Sequence, residues 1–221
     1  STGSVGKSSL DVISLIKNEF NLYGISCNEN IDLLYEQIIT HSPQFAVISN
    51  YEKYVEFLDK YGEKINSTKI SYGNEGITNI SSNKEVDIVV VAIVGFTCLN
   101  PVIDAINSDK TIIIANKEVL VSAGEMIMKI LEKSNASILP IDSEHNALLQ
   151  VILCSGLEYR VNEKDYYRSK INNLTITASG GPFIDLDISN LSKIKSKDAI
   201  KHPTWDIGKK ISVDSSTMMN K

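Results

Sequence analysis

A chain of 221 residues with 43% hydrophobic and 22% charged side chains has the ordinary balance of a globular protein, with length for one large domain or one and a half smaller ones. Its net charge of −5 and pI near 5.3 exclude a general nucleic-acid-binding surface. No apolar run approaches the roughly 20 residues that cross a bilayer, so no membrane partner is expected.

Ser1-Thr2-Gly3-Ser4-Val5-Gly6 opens the chain with no initiator Met and no strand before it. It leads into Leu10, Val12-Ile13, Leu15-Ile16 and Phe20, an apolar pattern of helical period. A glycine turn that opens a helix suits phosphate, because free backbone N–H groups and the positive helix end face the anion. Gly6-Lys7-Ser8 matches the tail of a Walker A loop, but that motif needs glycine where Ser1 stands. The competing reading is a dinucleotide fingerprint lacking its first strand and first glycine.

Strands and helices then alternate at parallel-sheet spacing. Leu22–Ser26 reads as a strand, Ile31–Ile39 as a helix, Phe45–Ser49 as a strand and Tyr54–Leu58 as part of a helix. Ile70 and Tyr72 suggest a short strand, and Val86–Val94 a long buried one. Thr111–Ala115 is the next strand, followed by a helix through Met126, Ile127, Ile130 and Leu131. A dinucleotide site of the NAD type places an acid about 20 residues beyond the glycines, on the ribose 2′-hydroxyl. Here Glu29, within Ser26-Cys27-Asn28-Glu29-Asn30, falls later than that, and both NAD and NADP stay open.

The strand 136–141 ends at Asp142-Ser143-Glu144-His145-Asn146, and a helical run, Ala147–Leu153, follows. Asp142 and Glu144 thus stand at the carboxyl end of a strand, where open α/β sheets keep their ligands. Two converging carboxylates need a cation or a proton between them, and oxygen-only ligands favour Mg²⁺ or Mn²⁺ over zinc. Acids at a helix start also satisfy capping and dipole preferences without any metal.

Leu157–Asn173 is polar and the nearest approach to a linker. Leu174–Ala178 reads as a strand ending in Ser179-Gly180-Gly181-Pro182-Phe183, either a phosphate-binding nest or a tight glycine turn. His202-Pro203-Thr204-Trp205 suits a loop that closes over a ligand, or simple local packing. Val213–Lys221 brings hydroxyls, an amide and an ammonium to the entry of a helix, the donor types that a phosphorylated polyol needs. Cys27, Cys98 and Cys154, odd in number and widely spaced, read as reduced, buried thiols of a cytosol-like compartment.

Together, Ser1–Gly6, Ala115-Asn116-Lys117-Glu118, Asp142–Asn146, Ser179–Phe183 and Lys210–Lys221 closely resemble the 1-deoxy-D-xylulose 5-phosphate reductoisomerase family, from end to end of the chain. The resemblance implies an α/β fold: a Rossmann-like doubly wound parallel sheet over residues 1–140, its first strand missing, then the beginning of an α+β catalytic domain over 141–221. It implies a reductoisomerase, an NADPH- and Mg²⁺- or Mn²⁺-dependent oxidoreductase of isoprenoid precursor synthesis by the methylerythritol phosphate route. Thr2, Gly3, Ser4, Val5, Asn30, Asn116, Glu118 and Gly208 would contact the cofactor. Asp142 and Glu144 would hold the metal. Lys117, Ser143, Glu144, Ser179, His202, Trp205, Ser215, Asn220 and Lys221 would serve the phosphorylated substrate and its chemistry. The complete protein would be a homodimer of a bacterial cytoplasm, or of a plastid-type organelle.

Three departures accompany the match. Cys27-Asn28-Glu29-Asn30 stands where the family has glycine and a basic residue before Asn30, and Ile207 replaces a methionine. The family's third metal carboxylate would fall beyond Lys221, so the fragment alone is expected to be inactive. The alternative reading is an inert dinucleotide-binding module of the same ancestry.

Overall fold

The computed structural model describes residues 1–16, 18–158, 164–177, 180–204 and 208–216. The chain forms two compact units, the first Ser1–Asp142 and the second beginning at Ser143.

In the first unit α1 (Ser4–Leu15) precedes β1 (Gly24–Cys27), α2 (Ile31–His41), β2 (Phe45–Ile48), α3 (Tyr51–Tyr61), β3 (Lys69–Tyr72) and α4 (Gly73–Ser81). Then come β4 (Ile88–Val91), α5 (Leu99–Asn107), β5 (Thr111–Ile114), α6 (Lys117–Leu131) and β6 (Ser137–Pro140). All pairings are parallel, in two three-stranded sheets ordered β1-β2-β3 and β4-β5-β6. Each strand is followed by a helix that returns the chain to the sheet's starting edge, as parallel pairing requires. Ala46, Val47 and Ile48 are buried on both faces of the central β2, because helices cover both sides. One core gathers Leu34, Ile38, Ile48 and Phe57 on the first sheet, the other Val102, Ile106, Ile112, Ile127 and Leu131 on the second.

Two helices of the first unit escaped the sequence reading for local reasons. The sequence of α4, Gly-Asn-Glu-Gly-Ile-Thr-Asn-Ile-Ser, is poor in helix formers, and α5 carries Pro101 in its first turn, where proline is tolerated. Gly76 explains itself only in three dimensions: a Cβ there would meet Val47 Cγ1 at 2.8 Å and Ser71 Oγ at 2.9 Å. The absent side chain lets α4 lie directly on β2 and β3.

The long buried strand expected over Val86–Val94 is a correction. β4 is only Ile88–Val91, Ile88 and Val90 are exposed, and Val94 is 86% exposed. β4 pairs on one side alone among the described residues, so its outer positions lack a neighbour to bury them.

In the second unit α7 (Ser143–Cys154), α8 (Lys164–Lys170), a 3-10 turn (Gly181–Phe183), α9 (Ser196–Ala199) and α10 (Lys209–Ser215) are joined by loops. The strand expected at Leu174–Ala178 does not form over 174–177, and Leu174 is exposed. No partner strand adjoins it among the described residues, and a strand without one leaves its backbone unpaired. Ala178 lies outside the described residues. The expected linker contains α8. Val213–Ser215 closes α10 rather than entering a helix. Cys27 and Cys98 are buried, but Cys154 is exposed, because α7 buries none of its residues.

Candidate active site

Gly3 is the N-cap of α1 and has no side chain to satisfy the helix. The first intrahelical bond runs from Lys7 N–H to Gly3 O at 2.9 Å. The N–H groups of Ser4, Val5 and Gly6 therefore have no carbonyl within the helix, and they lie at its positive end. Asn30, Asn50 and Asn116, in contrast, cap α2, α3 and α6 with their side chains. The turn is held against the carboxyl end of β1: the Ser1 nitrogen donates to Ser26 O, Ser1 Oγ to Gln37 Oε1 at 2.6 Å, and Gln37 Nε2 to Ser1 O at 3.1 Å. Gly6 is buried beneath it, where a Cβ would stand 2.5 Å from Ser1 Cα. Thr2, Gly3, Ser4 and Val5 thus form an open turn beside the strand whose following loop carries Asn30. Free N–H groups, no competing cap and close backbone approach fit a dinucleotide pyrophosphate.

At the end of β5 the Asn116 amide is fully engaged. Its Nδ2 donates to Ile93 O and Gly95 O, both at 2.6 Å, and its Oδ1 accepts from Val119 N–H at 3.3 Å. It pins the loop after β4 to the start of α6. Lys117 and Glu118 follow in the first turn. Lys117 Nζ donates to Asp142 Oδ2 at 2.9 Å, with both side chains less than one-fifth exposed. A strand end and a helix start are thereby joined by a partly desolvated ion pair, and the ammonium supplies the cation that a carboxylate there requires.

Within the second unit Ser143 Oγ donates to Glu144 Oε2 at 2.8 Å at the start of α7. Glu144 is partly buried. Asp142, at the end of the first unit, and Glu144, at the start of the second, each carry the hard oxygen donors that suit Mg²⁺ or Mn²⁺. Among the described residues no group of three His, Cys, Asp or Glu forms a metal cage.

Gly180 and Gly181 adopt φ of 80° and 63°, which a residue with a Cβ rarely does. A Cβ on Gly181 would lie 2.6 Å from the Ser215 carbonyl carbon and the Ser216 nitrogen. The glycine pair is thus packed against the end of α10. Ser215 is buried, and its Oγ donates to Ser212 O at 2.7 Å. Ser216 Oγ is buried with no hydrogen-bond partner among the described residues, beside this turn. Sequence reading passed over Ser216 because nothing in a Ser-Ser pair distinguishes the satisfied hydroxyl from the unsatisfied one. It passed over Gln37 because a polar residue inside a helical pattern reads as solvated. His202 is buried, and its Nδ1 accepts from Thr204 N–H at 3.1 Å. Gly208 caps α10. Ser179, Trp205, Asn220 and Lys221, and with them Ile207, lie outside the described residues.

The alternating parallel strands, their flanking helices and the glycine turn at a helix start define an α/β fold of the kind that binds dinucleotides. Residues 1–124 match the family model described as 1-deoxy-D-xylulose 5-phosphate reductoisomerase, and 138–221 match that of its C-terminal domain. The chain belongs to this family. Among its relatives, the 1-deoxy-D-xylulose 5-phosphate reductoisomerases of Clostridium perfringens and Clostridium novyi are 39% identical over 220 residues and 42% over 226. That of Wigglesworthia glossinidia brevipalpis is 40% identical over 222. Each comparison covers all of this chain and 54%, 54% and 56% of the relative, so the chain spans about half the length of the proteins it matches. Among solved structures, a DOX-P reductoisomerase in complex with NADPH, fosmidomycin and magnesium is 36% identical with a TM-score of 0.85. The Zymomonas mobilis enzyme in complex with NADPH is 30% identical with a TM-score of 0.84. Each comparison covers 99% of this chain and 53% of the other.

Proposed function

We propose that this sequence is the dinucleotide-binding part and the start of the catalytic part of an enzyme that converts 1-deoxy-D-xylulose 5-phosphate to 2-C-methyl-D-erythritol 4-phosphate, with a reduced nicotinamide cofactor and Mg²⁺ or Mn²⁺. The observation that carries this reading is the partly buried Lys117–Asp142 ion pair at the end of β6, two residues ahead of Glu144 in the chain. Family membership and the NADPH and magnesium of the solved relatives support it.

When bound, the metal supplies Lewis acidity to the ketone and NADPH supplies the hydride that reduces the rearranged aldehyde. Thr2, Gly3, Ser4 and Val5 hold the pyrophosphate through the open N-terminus of α1. Asn30, Glu118 and Gly208 flank the dinucleotide. Asn116, its side chain occupied by backbone partners, acts through the loop that it pins. Asp142 and Glu144 would hold the metal, and Lys117, paired here with Asp142, would contact the substrate. Ser143, Ser179, Ser215, Asn220 and Lys221 orient the phosphorylated substrate, with the unpartnered hydroxyl of Ser216 as a further donor. His202 and Trp205 belong to the segment that closes over it and excludes water. Phosphate contacts remote from the reacting carbons provide orientation. The residues to Pro140 form the cofactor domain and those from Ile141 the catalytic one, in a homodimer of a bacterial cytoplasm. No helix among the described residues is long and apolar enough to cross a membrane.

Glu144→Gln in the full-length protein tests the metal assignment. Turnover should fall by about 100-fold or more while dinucleotide affinity is unchanged. Undiminished turnover would remove Glu144 from the metal site.

A further inference from the structure

We propose that this protein does not strongly select the 2′-phosphorylated dinucleotide: Glu29 stands where a cation would read the 2′-phosphate, and the site binds NADH within about tenfold of NADPH. The inference rests on the dinucleotide site proposed above. In doubly wound folds the strand after the glycine turn ends beside the adenosine ribose, where an acid favours the free 2′-hydroxyl and a nearby arginine the 2′-phosphate. Here that strand is β1, tied to the glycine turn through the Ser1–Ser26 and Ser1–Gln37 hydrogen bonds. Glu29 follows it by two residues, exposed and fixed by its own backbone, since Glu29 O accepts from Ile31 N–H at 2.9 Å.

The surrounding charges do not compensate. Ser1–Asp142 contains no arginine, the side chain whose planar fork matches phosphate. Of the lysines of α3, Lys60 donates to Asp32 at 2.8 Å and Lys53 to Glu56 at 2.7 Å. Lys53 is held above the usual lysine range, chiefly by its hydrogen bond to Glu56, with Glu29 and Asp32 adding to the effect. Asp32 and Glu56 are thus matched by Lys60 and Lys53, Lys64 lies over the Tyr61 ring, and Glu29 has no hydrogen-bonded cation of its own among the described contacts. A 2′-phosphate placed at Glu29 meets a carboxylate, whereas a ribose 2′-hydroxyl meets a carboxylate that accepts its hydrogen bond.

The test is calorimetric titration of the full-length protein with NADPH and NADH, without substrate, for the wild type and Glu29→Lys. Wild-type NADPH affinity should exceed NADH affinity by less than about tenfold, and Glu29→Lys should move the ratio toward NADPH by about tenfold or more. Wild-type preference for NADPH of tenfold or more, or a ratio unmoved by the substitution, overturns the inference and leaves the proposed reaction standing. Failure of both dinucleotides to bind overturns the cofactor site itself, and this inference with it. Glu29 is exposed, so its replacement leaves the fold intact, which circular dichroism of the variant checks directly.

Discussion

Asn116 illustrates how one side chain decides what its neighbours can do. Its amide closes the N-terminus of α6 and ties down two carbonyls of the preceding loop, while the side chain itself is buried. Asn116→Ala removes the cap and strands both acceptors, so unfolding free energy should drop by about 2–4 kcal/mol in a denaturant titration. A loss below 1 kcal/mol would mean that the loop finds other donors. The cysteines differ for equally local reasons. Burial pushes the Cys27 thiol up to about 11 and raises that of Cys98, whereas Cys154 is exposed on α7. Near neutral pH an alkylating reagent should label Cys154 quickly and the other two only on unfolding, as mass spectrometry of the digest would show. The stability linked to Cys27 is whole below the ordinary thiol pKa and is lost as pH rises toward about 11, since the unfolded chain ionises first. Sequence alone placed Cys27 and Cys98 correctly and Cys154 wrongly, because exposure of one helix face depends on what packs against it.

The parallel strands were legible because β2, β4, β5 and β6 are short apolar runs, while β1 and β3 alternate apolar with polar residues. The glycine turn at the start of α1 was legible too, since glycine before a helical pattern carries its own geometry. Elements whose existence depends on partners were not. Leu174–Thr177 has strand composition but no strand to join, and α4 has a poor helix composition but a sheet to lie on. Gly76 measures that dependence. Alanine there would gain about 1 kcal/mol of helix propensity, yet its Cβ would press on buried Val47. The clash wins: Gly76→Ala should lower the thermal midpoint, with a net cost of about 1–2 kcal/mol. A stabilised variant would show that α4 can lift from β2 without penalty.

For the whole molecule, fold and chemistry separate along the chain. The first unit contains two three-stranded parallel sheets with two cores, and it carries the glycine turn, Lys117 and Asp142. The second begins at Ser143 and carries Glu144, the Gly180–Gly181 turn and Ser215. The places of the first unit's candidate residues were legible in sequence: the glycine turn opens α1, Lys117 follows β5 and Asp142 follows β6. Ser216 could not, because its significance lies in a burial that only coordinates show. The most direct measurement is oxidation of reduced dinucleotide by the full-length protein, with 1-deoxy-D-xylulose 5-phosphate present or absent and Mn²⁺ added or chelated, and with the product identified by NMR. The account predicts oxidation only when substrate and metal are both present, yielding 2-C-methyl-D-erythritol 4-phosphate. Dinucleotide binding without any substrate-dependent oxidation would contradict it and identify a binding module of the same ancestry.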